Sequence, residues 1–293
     1  MKTRPIAGNR IPFVKMEGLG NDYIYIEEFG NPLQDAANLS IKLSDRHFGI
    51  GGDGIILIGD SNNADFRMRI FNADGSEAEM CGNGTRCVGK YLYDRGFTPN
   101  TTLTLETGAG IRTLELTLEH DVVSGVRVDM GEPTLEPARI PVNDSGKDFI
   151  DREMTVGGKK YRGTAVSMGN PHIVIPVAEV DTLDLETIGP LFENHELFPR
   201  RINTEFVQIL SKTEVKMRVW ERGSGETLAC GTGACATAVA CALNKLTERA
   251  IAIHLRGGDL RIEWAANNGV YMTGPATHVF EGEYMVPADF TLA

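Results

Sequence analysis

The sequence predicts an α/β protein of the α+β type, with two pseudo-symmetric domains that are each a mixed sheet or open barrel around one central helix. The main observation is an internal repeat. Residues 67–84 read RMRIFNADGSEAEMCGNG, and residues 216–233, 149 positions later, read KMRVWERGSGETLACGTG. Six of the eighteen positions are identical, whereas a chance register would match about once. The chain is therefore interpreted as a duplication, with an active site expected in the cleft between its halves.

The chain is long enough, at 293 residues, for two domains that each bury a core. The repeat offset predicts a first domain over 11–130 and a second over 131–275. The connection between them is expected at 131–150, where three prolines and Gly146 interrupt regular structure. Residues 1–10 are expected to form a loose extension.

The first domain is expected to begin with a strand over 11–26, interrupted by a glycine loop at 18–21. Asn31-Pro32 provides an N-cap and a first-turn proline for a helix to about Leu43. The glycine-dense GIGGDG at 49–54 lacks the Gly-Lys-Ser/Thr of a phosphate-binding loop. The remaining elements follow from hydrophobic periodicity: strands at 55–58 and 65–71, a turn at 72–75, a helix at 85–94 and a strand meander over 101–130.

The second domain is expected to repeat this plan. A loop at Asn170 is followed by a helix near 184–193, strands at 205–210 and 214–220, and a helix at 234–244 whose small residues allow burial on most sides. Further strands are expected near 250–255, 260–264, 270–273 and 278–286. Strands and helices alternate too irregularly for a doubly wound parallel sheet.

Composition and charge limit the classes of partner. The net charge of −11 argues against nucleic acid or a membrane surface, because both are polyanions. No apolar run approaches the ~20 residues of a membrane helix, and the N-terminus lacks the apolar core of a signal peptide. We therefore expect a cytoplasmic protein, in which the five cysteines are reduced thiols rather than a disulfide framework.

Cys81 and Cys230 occupy the same place in the repeat, immediately before a Gly-x-Gly that opens a helix. A sulfur at that place lies beside unpaired backbone amides and the positive end of the helix dipole, which stabilise a thiolate and bind carboxylates. Cys87, Cys235 and Cys241 lie inside the helices and are expected only to pack. Two opposed thiols can remove a proton from one face of a carbon and deliver another to the opposite face. The pattern predicts inversion at an α-carbon by two bases.

Two other hypotheses use the same cysteines. A thiol redox protein would join Cys81 to Cys230 in a disulfide, but the sequence contains no Cys-x-x-Cys motif. A zinc site would combine Cys81 with Cys87 and Cys230 with Cys235, although these spacings fit zinc ligation poorly.

Five motifs carry a resemblance to a known family. They are F-x-K-M-x-G-x-G-N-D at 13–22, R-x-F-N-A-D-G-S at 69–76, C-G-N-G-x-R-C at 81–87, G-N-P-H at 169–172 and E-R-G-x-G-E-T-x-A-C-G-T-G-A-C at 221–235. In this order they resemble diaminopimelate epimerases. The resemblance implies an enzyme without cofactor or metal that interconverts LL- and meso-2,6-diaminopimelate, on the route to lysine and peptidoglycan. It also implies a homodimer and a C-terminal strand, within 276–293, that completes the first domain. An isomerase of the same architecture acting on proline or hydroxyproline is the nearest alternative.

The resemblance also assigns residue roles by motif position. Cys81 would donate a proton and Cys230 accept one, with the roles exchanged in reverse, while His172 and Glu221 would adjust the pKa values of the thiols. Backbone amides would hold the carboxylate at the reacting centre: Gly82, Asn83, Gly231 and Thr232. Side chains would hold the other amino and carboxylate groups: Asn21, Asn72, Asn170, Asn203, Glu221 and Arg222. Gly54 departs from the pattern, because some members carry a substrate-contacting glutamine there.

Overall fold

The structure is a computed structural model that describes residues 10–30 and 32–286. The chain divides into two compact units. Described residues up to Val128 and from Gly274 onward form the first, and Asp129–Thr273 form the second. Both units combine helices with a mixed sheet, which confirms the predicted fold class.

The first unit contains a mixed sheet and two helices. In chain order its elements are β1 (Arg10–Gly18), β2 (Asn21–Glu27), α1 (Ala36–Ser44), β3 (Gly54–Gly59), β4 (Phe66–Asn72), β5 (Glu77–Ala78), α2 (Gly82–Asp94), β6 (Thr102–Thr107), β7 (Gly110–Glu119) and β8 (Val122–Asp129). β2 pairs with β3 and β4 with β6 in parallel, whereas β3–β4, β6–β7 and β7–β8 are antiparallel.

The second unit follows the same plan after a 3₁₀ turn at Pro137–Arg139. Its elements are β9 (Arg152–Val156), β10 (Lys159–Ser167), β11 (Pro171–Pro176), α3 (Leu185–Glu193), β12 (Asn203–Ile209), β13 (Glu214–Glu221), β14 (Gly225–Thr227), α4 (Gly231–Leu243), β15 (Ala250–Leu255), β16 (Gly258–Trp264) and β17 (Val270–Gly274). Here β11–β12 and β13–β15 are the parallel pairs.

The last strand, β18 (Thr277–Met285), belongs to the first unit. It runs antiparallel to β1, from Arg10 opposite Met285 to Glu17 opposite Thr277. The first strand of the unit is therefore held by β18.

The repeat is preserved in backbone register as well as in sequence. α2 and α4 each have 13 residues. Tyr23 pairs with Gly54 between β2 and β3, and His172 pairs with Asn203 between β11 and β12. Each residue of the second pair lies 149 positions after its counterpart in the first pair, which is the repeat offset. The two units are therefore two copies of one supersecondary plan.

A buried helix lies at the centre of each unit, as predicted. α2 packs against β1, β2 and β7, and α4 packs against strands that include β10, β11 and β12. Ten residues of α4, nearly all of them small, are buried, because alanine and glycine let strands approach the helix closely. No helix in the described ranges is long and apolar enough to cross a membrane.

The predicted start of the first helix was wrong. α1 begins at Ala36 rather than at Asn31-Pro32, and its first hydrogen bond runs from the amide of Leu39 to the carbonyl of Asp35. Leu33, which precedes the helix, is buried in the core of the first unit. Asn31 itself lies outside the described residues.

The segment 131–150 is more than a connection. Its apolar residues Ile140, Val142 and Phe149 are buried in the core of the second unit. Proline and glycine interrupt the backbone there, but the apolar side chains still pack. The segment is therefore an irregular part of that unit.

Candidate active site

Cys81 immediately precedes α2 and caps its first turn. Its backbone is extended (φ −138°, ψ 112°), and its Sγ accepts a hydrogen bond from the amide of Gly84 at 3.4 Å. The thiol donates to Oδ1 of Asn21 at 3.2 Å. The amides of Gly82 and Asn83 begin the helix and have no acceptor within it. The partly exposed sulfur therefore lies beside anion-binding amides, as the motif predicts.

Asn21, at the start of β2, is oriented by Asp53. Oδ2 of Asp53 accepts from Nδ2 of Asn21 at 2.7 Å and from the amide of Asp22 at 3.1 Å. Arg46 binds Oδ1 of Asp53 at 2.9 Å and Oδ1 of Asp22 at 2.7 Å. Because the amide nitrogen of Asn21 is held by a carboxylate, its oxygen faces Cys81. The GIGGDG segment thus supplies a side chain that positions Asn21.

Tyr23 lies near the same thiol. Burial raises the pKa of the Tyr23 hydroxyl, and the nearby Cys81 and Asp53 raise it further. The phenol therefore keeps its proton and is a neutral neighbour of the thiol. Tyr23 is the repeat partner of His172.

Gly54 and Asn72 are opposite each other at the ends of β3 and β4. A Cβ added to Gly54 would lie 2.1 Å from the carbonyl oxygen of Phe71, so this backbone has no room for the glutamine that the family resemblance suggests there. Nδ2 of Asn72 donates to Oγ of Ser76 at 3.0 Å in the turn after β4. Its contact with a substrate remains a prediction.

Cys230 occupies the N-cap position of α4, as Cys81 does in α2, but its side chain makes no capping hydrogen bond. Its backbone is again extended (φ −125°, ψ 108°), but the residue is only 5% exposed. Burial raises the pKa of the Cys230 thiol well above its ordinary value, and the charge of Glu221 raises it further; Glu205 would act in the same direction only when ionised. The hydroxyl of Thr232, 3.6 Å from Sγ, and the amide of Gly233 act in the opposite direction. The resting structure therefore favours the thiol.

His172 and Glu205 form a fully buried pair beside this cysteine. Nδ1 of His172 is 2.7 Å from Oε1 of Glu205, and Nε2 is 2.9 Å from Oδ1 of Asn170. The imidazole, the carboxyl group and Sγ of Cys230 have ligand atoms within 4.8 Å of one another. Burial raises the pKa of Glu205, whereas the neighbouring imidazole acts to lower it.

The remaining predicted residues of the second unit are held by short polar contacts. Nδ2 of Asn203 donates to the carbonyl of Pro171 at 2.9 Å, and its Oδ1 accepts from the amide of Arg222 at 3.0 Å. The guanidinium of Arg222 donates to the carbonyl of Arg200 at 3.1 Å. In a separate contact, the carboxylate of Glu221 accepts from the hydroxyl of Thr227 at 2.5 Å.

The structure thus assembles two half-sites, one in each unit. The first joins Cys81, Asn21 and Asn83, since Nδ2 of Asn83 reaches Oδ1 of Asn21 at 3.4 Å. The second groups Cys230 with His172, Asn170 and the acids Glu221 and Glu205. Sequence reasoning missed three residues, namely Asp53, Tyr23 and Glu205. For Glu205 a signal was present, because it is a charged residue within an otherwise buried strand.

The other cysteines occupy packing positions. All five are thiols. Burial raises the pKa of both Cys87 and Cys241 to about 12, and Cys235 is fully buried. Among the described residues, one cluster of three side chains has ligand atoms close enough to hold a metal ion, and it consists of His172, Glu205 and Cys230. The cluster includes neither of the cysteine pairs that the zinc hypothesis requires.

Solved structures share this fold at low sequence identity. A PhzF-family phenazine biosynthesis protein from Bacillus anthracis superposes with a TM-score of 0.70 at 17% identity and covers 95% of this chain and 100% of its own. A hydroxyproline epimerase from Agrobacterium vitis, solved with trans-4-OH-L-proline, gives 0.65 at 13% identity, with 97% and 94% covered. These similarities concern the fold alone.

Sequence comparison identifies the family. The diaminopimelate epimerase of Agathobacter rectalis is 59% identical over 279 residues, which are 92% of this chain and 98% of that protein. The diaminopimelate epimerase of Acetivibrio thermocellus is 57% identical, with 92% and 97% covered. The family model for diaminopimelate epimerase matches residues 13–136 and 164–279. The chain belongs to the diaminopimelate epimerase family and is an isomerase.

Proposed function

We propose that this chain interconverts LL- and meso-2,6-diaminopimelate by a two-base mechanism that uses Cys81 and Cys230 and no pyridoxal cofactor. The observation that carries the proposal is the paired geometry, in which each unit has a cysteine as the N-cap of a buried 13-residue helix. Membership of the family supports the choice of substrate.

The two thiols act on opposite faces of one α-carbon. The Cys230 thiolate takes the α-proton from one face while the Cys81 thiol gives its proton to the other. Cys230 ends as a thiol and Cys81 as a thiolate, and the reverse reaction exchanges these states. A carbon at near-attack range of both sulfurs requires them to stand roughly 6–7 Å apart.

The helix N-termini stabilise the charge that forms when the α-proton leaves. That charge spreads onto the α-carboxylate, which the amides of Gly82 and Asn83 and those of Gly231 and Thr232 are placed to bind. Amide donors fixed by helix geometry need no reorganisation during the reaction. Removal of one such donor from other enzymes costs about 10²–10³-fold in kcat.

Substrate binding creates the base. Burial and the charge of Glu221 raise the pKa of Cys230, so the thiol must be activated. An α-ammonium group bound beside Glu221 would favour the thiolate by opposite charge. The thiol then releases its proton to solvent.

The polar side chains distinguish the two ends of the substrate. The carboxylate of Glu221 suits an ammonium group, and the guanidinium of Arg222 suits the distal carboxylate, which it can bind through two parallel hydrogen bonds. Amide side chains complete the proposed set: Asn21, Asn72, Asn170 and Asn203. Such a set favours a substrate with two amino-acid ends over proline.

Deuterium uptake tests this proposal. The chain is incubated in heavy water with LL-diaminopimelate, proline or trans-4-hydroxyproline, and α-deuteration is followed by NMR and mass spectrometry. We expect exchange on diaminopimelate alone, and its loss in Cys81→Ala and Cys230→Ala. Exchange on proline alone would refute the substrate, whereas exchange that survives either substitution would refute the two-base roles.

We also propose a homodimer located in the cytoplasm. Support for self-association comes from β18, which exposes Val279, Phe280 and Met285 on an otherwise polar strand. Sedimentation equilibrium gives the mass that decides between one chain and two.

A further inference from the structure

The contacts of His172 restrict where its protons lie. In the amide orientation of Asn170 that the structure shows, Oδ1 lies 2.9 Å from Nε2 and can only accept a hydrogen bond, so Nε2 carries a hydrogen in this arrangement. The 2.7 Å contact between Nδ1 and Oε1 of Glu205 then contains one proton. That proton makes either an imidazolium–carboxylate pair or a neutral imidazole with a carboxylic acid.

The surroundings of Glu205 favour the neutral pair. Both residues are 0% exposed. The second carboxyl oxygen, Oε2, is buried and finds no hydrogen-bond partner among the residues that the structure describes. A buried oxygen without a hydrogen-bond partner costs much more free energy when it belongs to a charged carboxylate than when it is the carbonyl oxygen of an un-ionised acid. Burial also raises the pKa of Glu205, in agreement with this assignment.

The groups that face Glu205 point the same way. They are His172 on β11, Glu221 on β13 and Cys230 at the start of α4. An ionised Glu205 would place a second carboxylate beside a thiol that must become a thiolate. A neutral acid removes that repulsion.

Comparison of the two halves separates chemistry from packing. Ile56 of the first unit is the repeat partner of Glu205. A Cβ added to Gly84 would lie 2.5 Å from Cδ1 of Ile56, and one added to Gly233 would lie 2.6 Å from Oε1 of Glu205. Ile56 and Glu205 therefore fill the same space beneath the start of the helix in their units. Since the apolar Ile56 packs there, packing alone does not require a carboxyl group at this position.

We propose that Glu205 is a positioning residue that, as an un-ionised carboxylic acid, donates to Nδ1 of His172 and fixes the tautomer whose Nε2–H binds Asn170. It thereby holds the imidazole next to Cys230 without adding a negative charge there. This inference rests on the proposed function of Cys230 as an acid and base.

Two substitutions of similar size test the role. Glu205→Gln keeps a neutral donor for Nδ1, whereas Glu205→Leu keeps bulk and removes the donor. We expect Glu205→Leu to lower kcat by about 10–100-fold, the size of effect seen when residues that support the ligands of metal centres are lost. Glu205→Gln should recover most of that loss. If Glu205→Leu keeps full activity, the residue only packs; if Glu205→Gln is as impaired as Glu205→Leu, the carboxyl charge is required.

A second readout needs no substrate. The pH dependence of Cys230 alkylation is compared between the Cys81→Ala variant and the same variant that also carries Glu205→Gln. The two pH profiles should coincide, because the side chain at position 205 is neutral in both proteins. A shift to lower pH in Glu205→Gln would show that Glu205 was ionised and would overturn the proposal.

Nitrogen NMR of the unsubstituted chain reads the tautomer directly and remains decisive if the variants fail to fold. A bare Nδ1 and a protonated Nε2 on His172 are expected at neutral pH. A doubly protonated ring, or one protonated on Nδ1 alone, would refute the assignment. A chain with the expected tautomer but no deuterium exchange on diaminopimelate would contradict the proposed function and leave the Glu205 assignment intact.

Discussion

Replacement of Arg218 by alanine should destabilise the second unit much more than replacement of Arg69 destabilises the first. The two arginines are repeat partners, and each pairs with the equivalent glutamate, Glu226 or Glu77. Their surroundings differ. The side chains of Arg218 and Glu226 are 14% and 10% exposed, whereas those of Arg69 and Glu77 are 31% and 51% exposed.

The contacts set the expected size of each effect. Arg218 binds both oxygens of Glu226, at 2.7 and 2.9 Å, and also donates to three main-chain carbonyls, those of Val180, Asp181 and Leu183. Loss of one partner from a buried ion pair costs about 3–5 kcal/mol of unfolding free energy. We expect a loss of about 3 kcal/mol for Arg218→Ala, because Glu226 keeps its ion pair with Arg256.

Arg69 makes a single 3.0 Å bond to Glu77 and lies over the ring of Phe71 at 4.8 Å. An exposed pair contributes about 0–1 kcal/mol and an exposed cation–π contact about 0.5–1 kcal/mol. We therefore expect a difference of about 2 kcal/mol between the two substitutions, which is about 30-fold in the unfolding equilibrium.

Urea unfolding measures the difference. Both tryptophans, Trp220 and Trp264, lie in the second unit, so their fluorescence reports the unfolding of that unit in the Arg218→Ala variant. Far-UV circular dichroism follows the unfolding of both variants, including Arg69→Ala. Double-mutant cycles with the partner glutamates separate pair energy from packing. Equal losses for the two arginines would refute the inference that burial, rather than residue identity, sets the strength of the pair.

Two further predictions concern single side chains. Asp53→Ala should release Asn21 and lower kcat by about 10–100-fold. The control, Asp65→Ala, removes a carboxylate that binds Thr104 and should leave kcat unchanged. Equal activity of the two variants would contradict a positioning role for Asp53. The second concerns Cys241, whose buried thiol has a pKa of about 12 against an ordinary 9.0. The unfolded chain loses this proton at lower pH than the folded chain, so stability falls as pH rises above about 9, by up to about 1.4 kcal/mol per pH unit. The unfolding free energy of Cys241→Ala should therefore fall less between about pH 8 and pH 10 than that of the unsubstituted chain, and parallel slopes would refute the argument.

The repeated elements could be predicted because their signals are local. Glycines after Cys81 and Cys230, together with helical spacing, predicted α2 and α4, although both helices begin three residues earlier than expected because the cysteines themselves are the N-caps. β5 and β14 were missed because two or three residues are too short for a detectable alternation.

The supporting residues of the site could not be predicted, because their contacts join distant parts of the chain. Asp53 reaches Asn21 across 32 positions, and Glu205 reaches His172 across 33. Parallel pairing of β2 with β3 and of β11 with β12 brings these residues together. Periodicity predicts strands but not which strands become neighbours.

The differences between the halves have a chemical reason under the proposed mechanism. A two-base reaction needs one thiolate and one thiol at the start, and identical surroundings would leave the choice between them to chance. Tyr23 and Ile56 near Cys81 are replaced by His172 and Glu205 near Cys230, and the first sulfur is partly exposed while the second is buried. Unequal surroundings assign the starting states. The inequality must still be small enough for bound substrate to reverse it, because the enzyme runs in both directions through the same two sulfurs. Under the proposal a neutral Glu205 fits this condition better than an ionised one, since a second carboxylate in addition to Glu221 would further disfavour the Cys230 thiolate.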